Sequence, residues 1–399
     1  MNKKEFSQEL IENLTENILP YWMEKMSDPR GGYYGRRDGD DRLDPDAAKG
    51  AILNARILWT FSAAYRVLRR PEYLEHATRA KNYIMEHFID REFGGAYWSV
   101  NADGTPADTK KQFYAIGFMI YGLSEYYRVT ADEEALALAM DLFRVIETHS
   151  RDRVKGGYIE ATTRDWQPIA DMRLSDKDAN SSKTMNTHLH IIEGYTALLR
   201  VCRTPEVEEA TRYLLRLFLD KIENQHTHHL TLFFNDDWQK VDDTESYGHD
   251  IEASWLLLET AQVIGDPQLL DETLRHTLHI ARAGLRGRCC DGSMVYERHA
   301  NGHFDNDKHW WVQAEDVIGQ LYLAEFHNEP GEVEKAWQSW QYIKNNLVAP
   351  DGEWYWSRRG SDGSVNRTDD RAGFWKCPYH NSRMCLEGYE RLRDLTEKE

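Results

Sequence analysis

The chain has 399 residues, 67 of them acidic and 49 basic, which leaves a formal charge of −18. That balance argues against a nucleic-acid or anionic-membrane partner, since both need a positive surface, and 41% hydrophobic residues with no low-complexity tract describe a folded globular chain. Thirteen tryptophans and 21 tyrosines exceed what a core of this size needs; flat rings with polar rims suit the C–H faces of sugars, although large core residues account for most of them.

The first segment, MNKKEFSQELIENLTENILPYW, carries acids throughout and no apolar run of signal-peptide length, so it reads as an amphipathic helix. A glycine-and-aromatic signature then recurs as GGYYG from Gly31, GGAYW from Gly94, GGYIE from Gly156, a weaker LTLFFNDDW from Leu230, DGSMVYE from Asp291 and DGEWYW from Asp351. Successive signatures stand about 60 to 75 residues apart, room for two helices and their loops. The intervening pattern is helical, as in AILNARILWTFSAAYRVLRR, EEALALAMDLFRVIETH, MNTHLHIIEGYTALLRVC and EVEKAWQSWQYIKNNL. The signatures, bounded by glycine and aspartate, read as brief strands or hairpins in the connecting loops.

Six helix pairs of this kind predict an all-α chain folded as an (α/α)6 barrel, with short β-hairpins in the loops rimming the cleft. An open solenoid would expose apolar end repeats, and six units suffice to close a ring. No linker rich in proline, glycine or serine divides the chain, so residues 1–399 are expected to form a single domain. No segment approaches the roughly 20 apolar residues of a membrane span. Five cysteines, Cys202, Cys289, Cys290, Cys377 and Cys385, are an odd number with one adjacent pair, which fits free thiols and a cytoplasmic location.

Several predicted inner helices carry polar groups where a core wants apolar ones. Arg56 stands inside AILNARILW; Asn186 and His190, four apart, share a face in TMNTHLHIIEGY; His249 and Glu252, three apart, share one in SYGHDIEASW. Trp311 and Glu315 lie in HWWVQAE, and Trp375 precedes His380 in FWKCPYHNSRMC. Taken singly, the arginine reads as the partner of a buried carboxylate, the histidines as satisfied core residues and the tryptophans as packing. Taken together, they come from separate repeats and converge on one axis in a closed ring, and a ring of buried polar groups costs desolvation that structure alone rarely explains. Metal binding is expected to be absent: THLH and the HTHH of residues 226–229 have no zinc spacing with acidic or cysteine partners, and the second reads as a solvated loop. Cys377 and Cys385 sit near His380 without a protease-like context, and no phosphate loop or dinucleotide fingerprint is present.

The ordered set ARILW, TMNTHLHIIEGY, SYGHDIEASW, HWWVQAE and WKCPYHNSRMC resembles the N-acylglucosamine 2-epimerase superfamily, and within it the cellobiose 2-epimerase branch, along essentially the full chain. Mannose 2-epimerases are close relatives of that branch. The resemblance implies reversible inversion at C2 of a reducing-end sugar, with cellobiose, lactose or free mannose as candidate substrates. It implies that His249 and His380 are the catalytic pair, that His190 serves ring opening, and that Arg56, Tyr114, Asn186, Glu252, Trp311, Glu315 and Trp375 surround the substrate. Some members carry a histidine where this chain has Asn54, so position 54 takes no role from the resemblance.

The chemistry asks for such residues. Inverting C2 of an aldose removes a proton from one face and returns it on the other, and two imidazoles, one neutral and one charged, divide that work near neutral pH. Arg56 would hold the developing oxyanion, Glu252 would orient His249, Glu315 would do likewise elsewhere in the ring, and Trp311 and Trp375 would stack on sugar rings. The substrate's own carbonyl acidifies the proton, so no cofactor is expected. The competing readings are an (α/α)6 glycoside hydrolase with Glu252 and Glu315 as its acid pair, and a sugar-binding toroid without catalysis. Oligomeric state stays open, a monomer included.

Overall fold

A computed structural model of the protein describes residues 2–397. Twelve helices among the described residues alternate between an outer and an inner ring. They are α1 (Lys3–Glu12, running on through Asn13–Ile18 into Leu19–Glu24), α2 (Ala51–Leu68), α3 (Pro71–Tyr83), α4 (Phe113–Thr130), α5 (Glu133–His149), α6 (Met185–Val201), α7 (Pro205–Leu217), α8 (Tyr247–Ile264), α9 (Pro267–Gly284), α10 (Trp310–Phe326), α11 (Glu332–Asn346) and α12 (Tyr379–Glu397). Even-numbered helices form the inner ring, each packed on the next, and α12 returns to α2. The fold is an (α/α)6 barrel.

Sequence separates the two rings. Inner helices are apolar nearly all round, and Ala51 to Ala64 of α2 are buried without a break. Outer helices bury one stripe, in α7 Val207, Ala210, Thr211, Leu214 and Leu215, and turn their charges to solvent. Inner-to-outer turns are abrupt. Arg69, Ala131 and Gly265 close α2, α4 and α8 in the left-handed conformation at φ 57°, 55° and 78°. Pro71, Pro205 and Pro267 open α3, α7 and α9, and the side chains of Asp132, Thr204 and Asp266 cap α5, α7 and α9.

The long outer-to-inner loops all lie at the other end, where the inner helices begin. The signatures do form tight β-bridged turns, such as Ile89 with Ala96 and Arg151 with Tyr158. The ladders, however, mostly run between neighbouring loops rather than within one. The two residues before five of the inner helices pair antiparallel with the following loop: Lys49 opposite Val100, Lys111 opposite Thr162, Lys183 opposite Phe234, Glu245 opposite Arg298, and Lys308 opposite Arg358. A bridge between Ala372 and Arg37 makes the sixth connection and closes the ring.

Ion pairs of buried lysines reinforce this rim. Lys49 reaches Asp28 at 2.7 Å, Lys111 reaches Asp90 at 2.8 Å, Lys183 reaches Asp152 at 2.9 Å and Lys376 reaches Glu353 at 2.6 Å. Each ties the entry of an inner helix to the loop of the preceding unit. Lys49 and Lys111 also donate to the carbonyls of Gly31 and Gly94, at 3.0 and 2.8 Å, which fixes the signature turn to the staple.

Two glycines set the approach of α4 to α6. A Cβ at Gly194 would fall 2.5 Å from the carbonyl oxygen of Gly117, and one at Gly117 would fall 2.9 Å from that of His190. Their absence of side chain draws His190 against Tyr114 and Phe118, with ring centroids 4.9 and 4.6 Å apart. No helix among the described residues is long and apolar enough to cross a membrane, and all five cysteines are free.

Candidate active site

The inner helices begin at the rim, so equal offsets from their first residues lie at equal depth. Tyr114, Asn186, Trp311 and His380 are second residues of α4, α6, α10 and α12. One turn deeper, five residues after the first, stand Arg56, Phe118, His190, Glu252 and Glu315 on α2, α4, α6, α8 and α10. These two tiers surround a cleft of about 880 Å³ lined by Arg56, Tyr114, Asn186, His190, His249, Glu252, Trp311, Trp375 and His380. Glu315 alone of the sequence-selected residues is not in that lining; it lies beneath His380.

Each imidazole has a distinct support. Nδ1 of His380 is 2.7 Å from Oε1 of Glu315 and 3.9 Å from Oε1 of Glu252. Nδ1 of His190 is 2.8 Å from Oε2 of Glu193, and Nδ1 of His249 is 2.8 Å from Oγ of Ser246. Trp311 lies between two of them, its ring centroid 4.7 Å from His249 and 5.6 Å from His380. Burial, reinforced by His190, pushes His249 down to about 3. Burial and then Arg56 and Arg383 hold His380 well below the ordinary imidazole range, and burial lowers His190 as well. All three shifts favour the neutral imidazole.

Arg56 is buried, yet its partners are the Tyr114 hydroxyl at 2.9 Å and Cys377 Sγ at 3.6 Å, with its guanidinium 4.3 Å above Phe118 and 4.7 Å above Tyr379. The bland expectation of a buried carboxylate partner fails: no ion pair to Arg56 is present among the described residues, and its Nε lacks a hydrogen-bond partner. The buried Asn186 Oδ1 is likewise without a partner. Trp375 stands half-buried on the cleft wall, 6.0 Å from both Trp98 and Tyr114 in edge contact.

Below lies a buried charge cluster. Arg383 Nη2 donates to Glu252 at 2.8 Å and Glu315 at 2.6 Å, and Nη1 donates to Glu193 at 2.5 Å and to the Tyr379 hydroxyl. This corrects the expected role of Glu252: His249 is held by Ser246, while Glu252 faces Arg383 and His380. An i to i+3 spacing puts two side chains on one face without making them partners. Burial and then Glu315 push the Glu252 carboxyl up to about 8 against the pull of Arg383. Glu252, Glu315 and His380 also bring donor atoms within 4.8 Å of one another, but the guanidinium already takes both carboxylates.

The whole chain can now be placed among known proteins. Residues 32–381 match N-acylglucosamine 2-epimerase (GlcNAc 2-epimerase). The chain belongs to the N-acylglucosamine 2-epimerase family. Its relatives there include a cellobiose 2-epimerase of Bacteroides fragilis, 56% identical over 95% of this chain and 97% of the relative. One from Ruminococcus albus is 38% identical over 97% of this chain and 99% of the relative. The solved cellobiose 2-epimerase of Bacillus thermoamylovorans B4167 superposes with a TM-score of 0.93 at 38% identity, covering 97% of this chain and 100% of that one. Membership makes the protein a sugar epimerase, an isomerase.

Sequence reading passed over several groups in this family member's cleft and floor. Glu193 and Arg383 lie inside the quoted motifs, and their signal was a charge on an otherwise buried face of α6 and α12. Glu160 lines the cleft and accepts from Thr184 and Thr187. Tyr296, stacked on His309 with centroids 4.1 Å apart, lines it too. These last come from loops, where no periodicity marks a face. The HTHH segment is solvated at its start and packed at its end: His226 is exposed and His228, half-exposed, has Nδ1 2.7 Å from Glu223, while His229 is buried with Nδ1 2.6 Å from Asp250.

Proposed function

We propose that the protein catalyses reversible, cofactor-independent inversion at C2 of the reducing-end sugar of β-1,4-linked disaccharides, converting cellobiose to glucosyl-mannose and acting on lactose in the same way. The observation that carries this reading is the contact of both His249 and His380 with one tryptophan ring in one cleft. Two imidazoles so held can work on a single sugar carbon. The cleft volume, near the upper end of the roughly 300–1,000 Å³ of small-molecule pockets, has room for a second ring. The Bacteroides fragilis relative supports the disaccharide.

In this mechanism His190 takes the O1 proton and delivers it to O5 as the C1–O5 bond breaks and the ring opens. His380 keeps its own proton on Nδ1, toward Glu315, and presents Nε2 as the base. The imidazolium it becomes is stabilised by Glu315, while His249, having taken up a solvent proton with substrate bound, returns that proton to the opposite face of C2 and is left neutral; His380 then releases its proton to solvent. The enediolate oxygen is received by Arg56, which forms no ion pair among the described residues. Trp311 and Trp375 form the walls on which the sugar rings stack.

The closure of the ring by elements from both ends of the chain supports a single domain, and the free thiols support a reducing cytoplasm. The acidic surface supports a neutral sugar rather than nucleic acid as partner. Steady-state rates on cellobiose, lactose and mannose, followed by chromatography, test the proposal. A new disaccharide is expected to form faster than mannose is converted; glucose release would mean hydrolysis, and no conversion would leave a binding protein.

A further inference from the structure

Beneath the cleft, two histidines with different tasks share one cation. Glu193 accepts from His190 Nδ1 on one oxygen and from Arg383 and the Tyr379 hydroxyl on the other. Glu315 divides its oxygens between His380 with Arg383 on one side and the Trp255 indole, at 2.9 Å, on the other. Arg383 itself is fully buried, does not line the cleft, and spans from one carboxylate to the other. We propose that Arg383 is a positioning residue that couples the imidazoles of His190 and His380, one guanidinium fixing the carboxylates behind both.

The physical case rests on count and shape. Two carboxylates, from Glu193 and Glu315, and the Glu252 carboxyl that burial pushes toward its neutral form converge on a single guanidinium in a buried floor, which leaves the cluster short of positive charge. An imidazolium formed at His380 or His190 during turnover supplies what is missing, and Arg383 apportions the remaining negative charge between the two sites. A planar fork spans carboxylates on separate nitrogens; an ammonium gathers its three donors on one nitrogen and does not reach across. Every inner helix contributes to this environment: Arg56 from α2, Tyr114 and Tyr121 from α4, and His249 and Glu252 from α8 act on the same groups. Of these, only Arg383 bonds to both supporting carboxylates.

The inference rests on the proposed roles of His190 and His380 in catalysis, but its test reads the imidazoles directly. Histidine NMR titrations and pH profiles of kcat/KM on cellobiose are compared for the wild type, Arg383→Lys and Glu193→Gln. Arg383→Lys is expected to lower kcat about ten-fold with KM within about three-fold. The carboxylate released from the fork becomes more basic, so the acid limb of the profile and the midpoint of His190 or His380 move up by about one pH unit.

Glu193→Gln, an isosteric change that answers the question should the lysine variant not fold, does not touch His380. It leaves Arg383 less neutralised and is expected to lower the His380 midpoint as well as that of His190. An unmoved His380 midpoint in Glu193→Gln, or unmoved midpoints in a folded Arg383→Lys whatever its kcat, overturns the coupling. Midpoints that move while His380→Asn stays fully active would instead retain the coupling and remove the catalytic role.

Discussion

The Nδ1 of His380 and the Oε1 of Glu315 meet at 2.7 Å across the seam between α12 and α10, so a residue near the C-terminal end takes its tautomer from a neighbouring repeat. The carboxylate accepts the Nδ1 proton and leaves Nε2 for the substrate. His380→Asn is therefore expected to lower kcat by about 10²–10⁴-fold, and His249→Asn by a similar factor, with melting temperatures near that of the wild type. Glu315→Gln keeps an acceptor for Nδ1 but loses the charge behind the imidazolium, and its kcat should fall by less. Steady-state epimerisation and thermal melts of the three variants check the order.

Proton transfer through solvent-exchangeable imidazoles leaves an isotopic record. Epimerisation in deuterated water is expected to place deuterium at C2 of the product, read by NMR or mass spectrometry. Product without label at C2 would point to carbon-bond or oxidation–reduction chemistry and remove the two-histidine route.

The ring and its tiers were readable because burial on all sides makes an inner helix apolar throughout, and against that background His249, Glu252 or Arg56 stands out. Which of these groups meet was not readable. Helical period assigns a face, while partnership depends on the rotation of neighbouring helices, so Glu252 met Arg383 rather than His249. The lysines two residues before an inner helix, as at Lys49, Lys111 and Lys183, recur with the repeat and were a signal left unused. The loop residues Glu160 and Tyr296 had no such signal, since a loop has no period.

The staples make a stability prediction. Lys111 and Asp90 are both fully buried, and Asp90 also receives Arg164 at 2.8 Å. Lys111→Met leaves that carboxylate partly uncompensated and is expected to cost about 3 kcal/mol. The double variant with Asp90→Asn should recover part of the loss. Denaturant midpoints for the single and double variants measure both.

Glu160 gives the protein a pH-dependent term of known sign. It is buried, and burial pushes its carboxyl from the ordinary 4.5 to about 8 despite hydrogen bonds from Thr184 and Thr187. A carboxyl whose folded value lies above its unfolded one contributes fully below the unfolded value, and that contribution is lost as pH rises through the folded one. Glu160→Gln stays neutral. The melting temperature of the wild type should thus fall relative to the variant as pH rises from about 4.5 to about 8, and parallel melting curves across that window would contradict it.

The bridge from Ala372 to Arg37 has a bearing on how the enzyme is made. Arg37, in the loop before α2, finds its partner only once the loop before α12 is made, and α1 packs against α12. A polypeptide without α12 lacks His380, Arg383 and the helix that joins α10 to α2 together. One helix thus completes both the catalytic floor and the wall of the barrel.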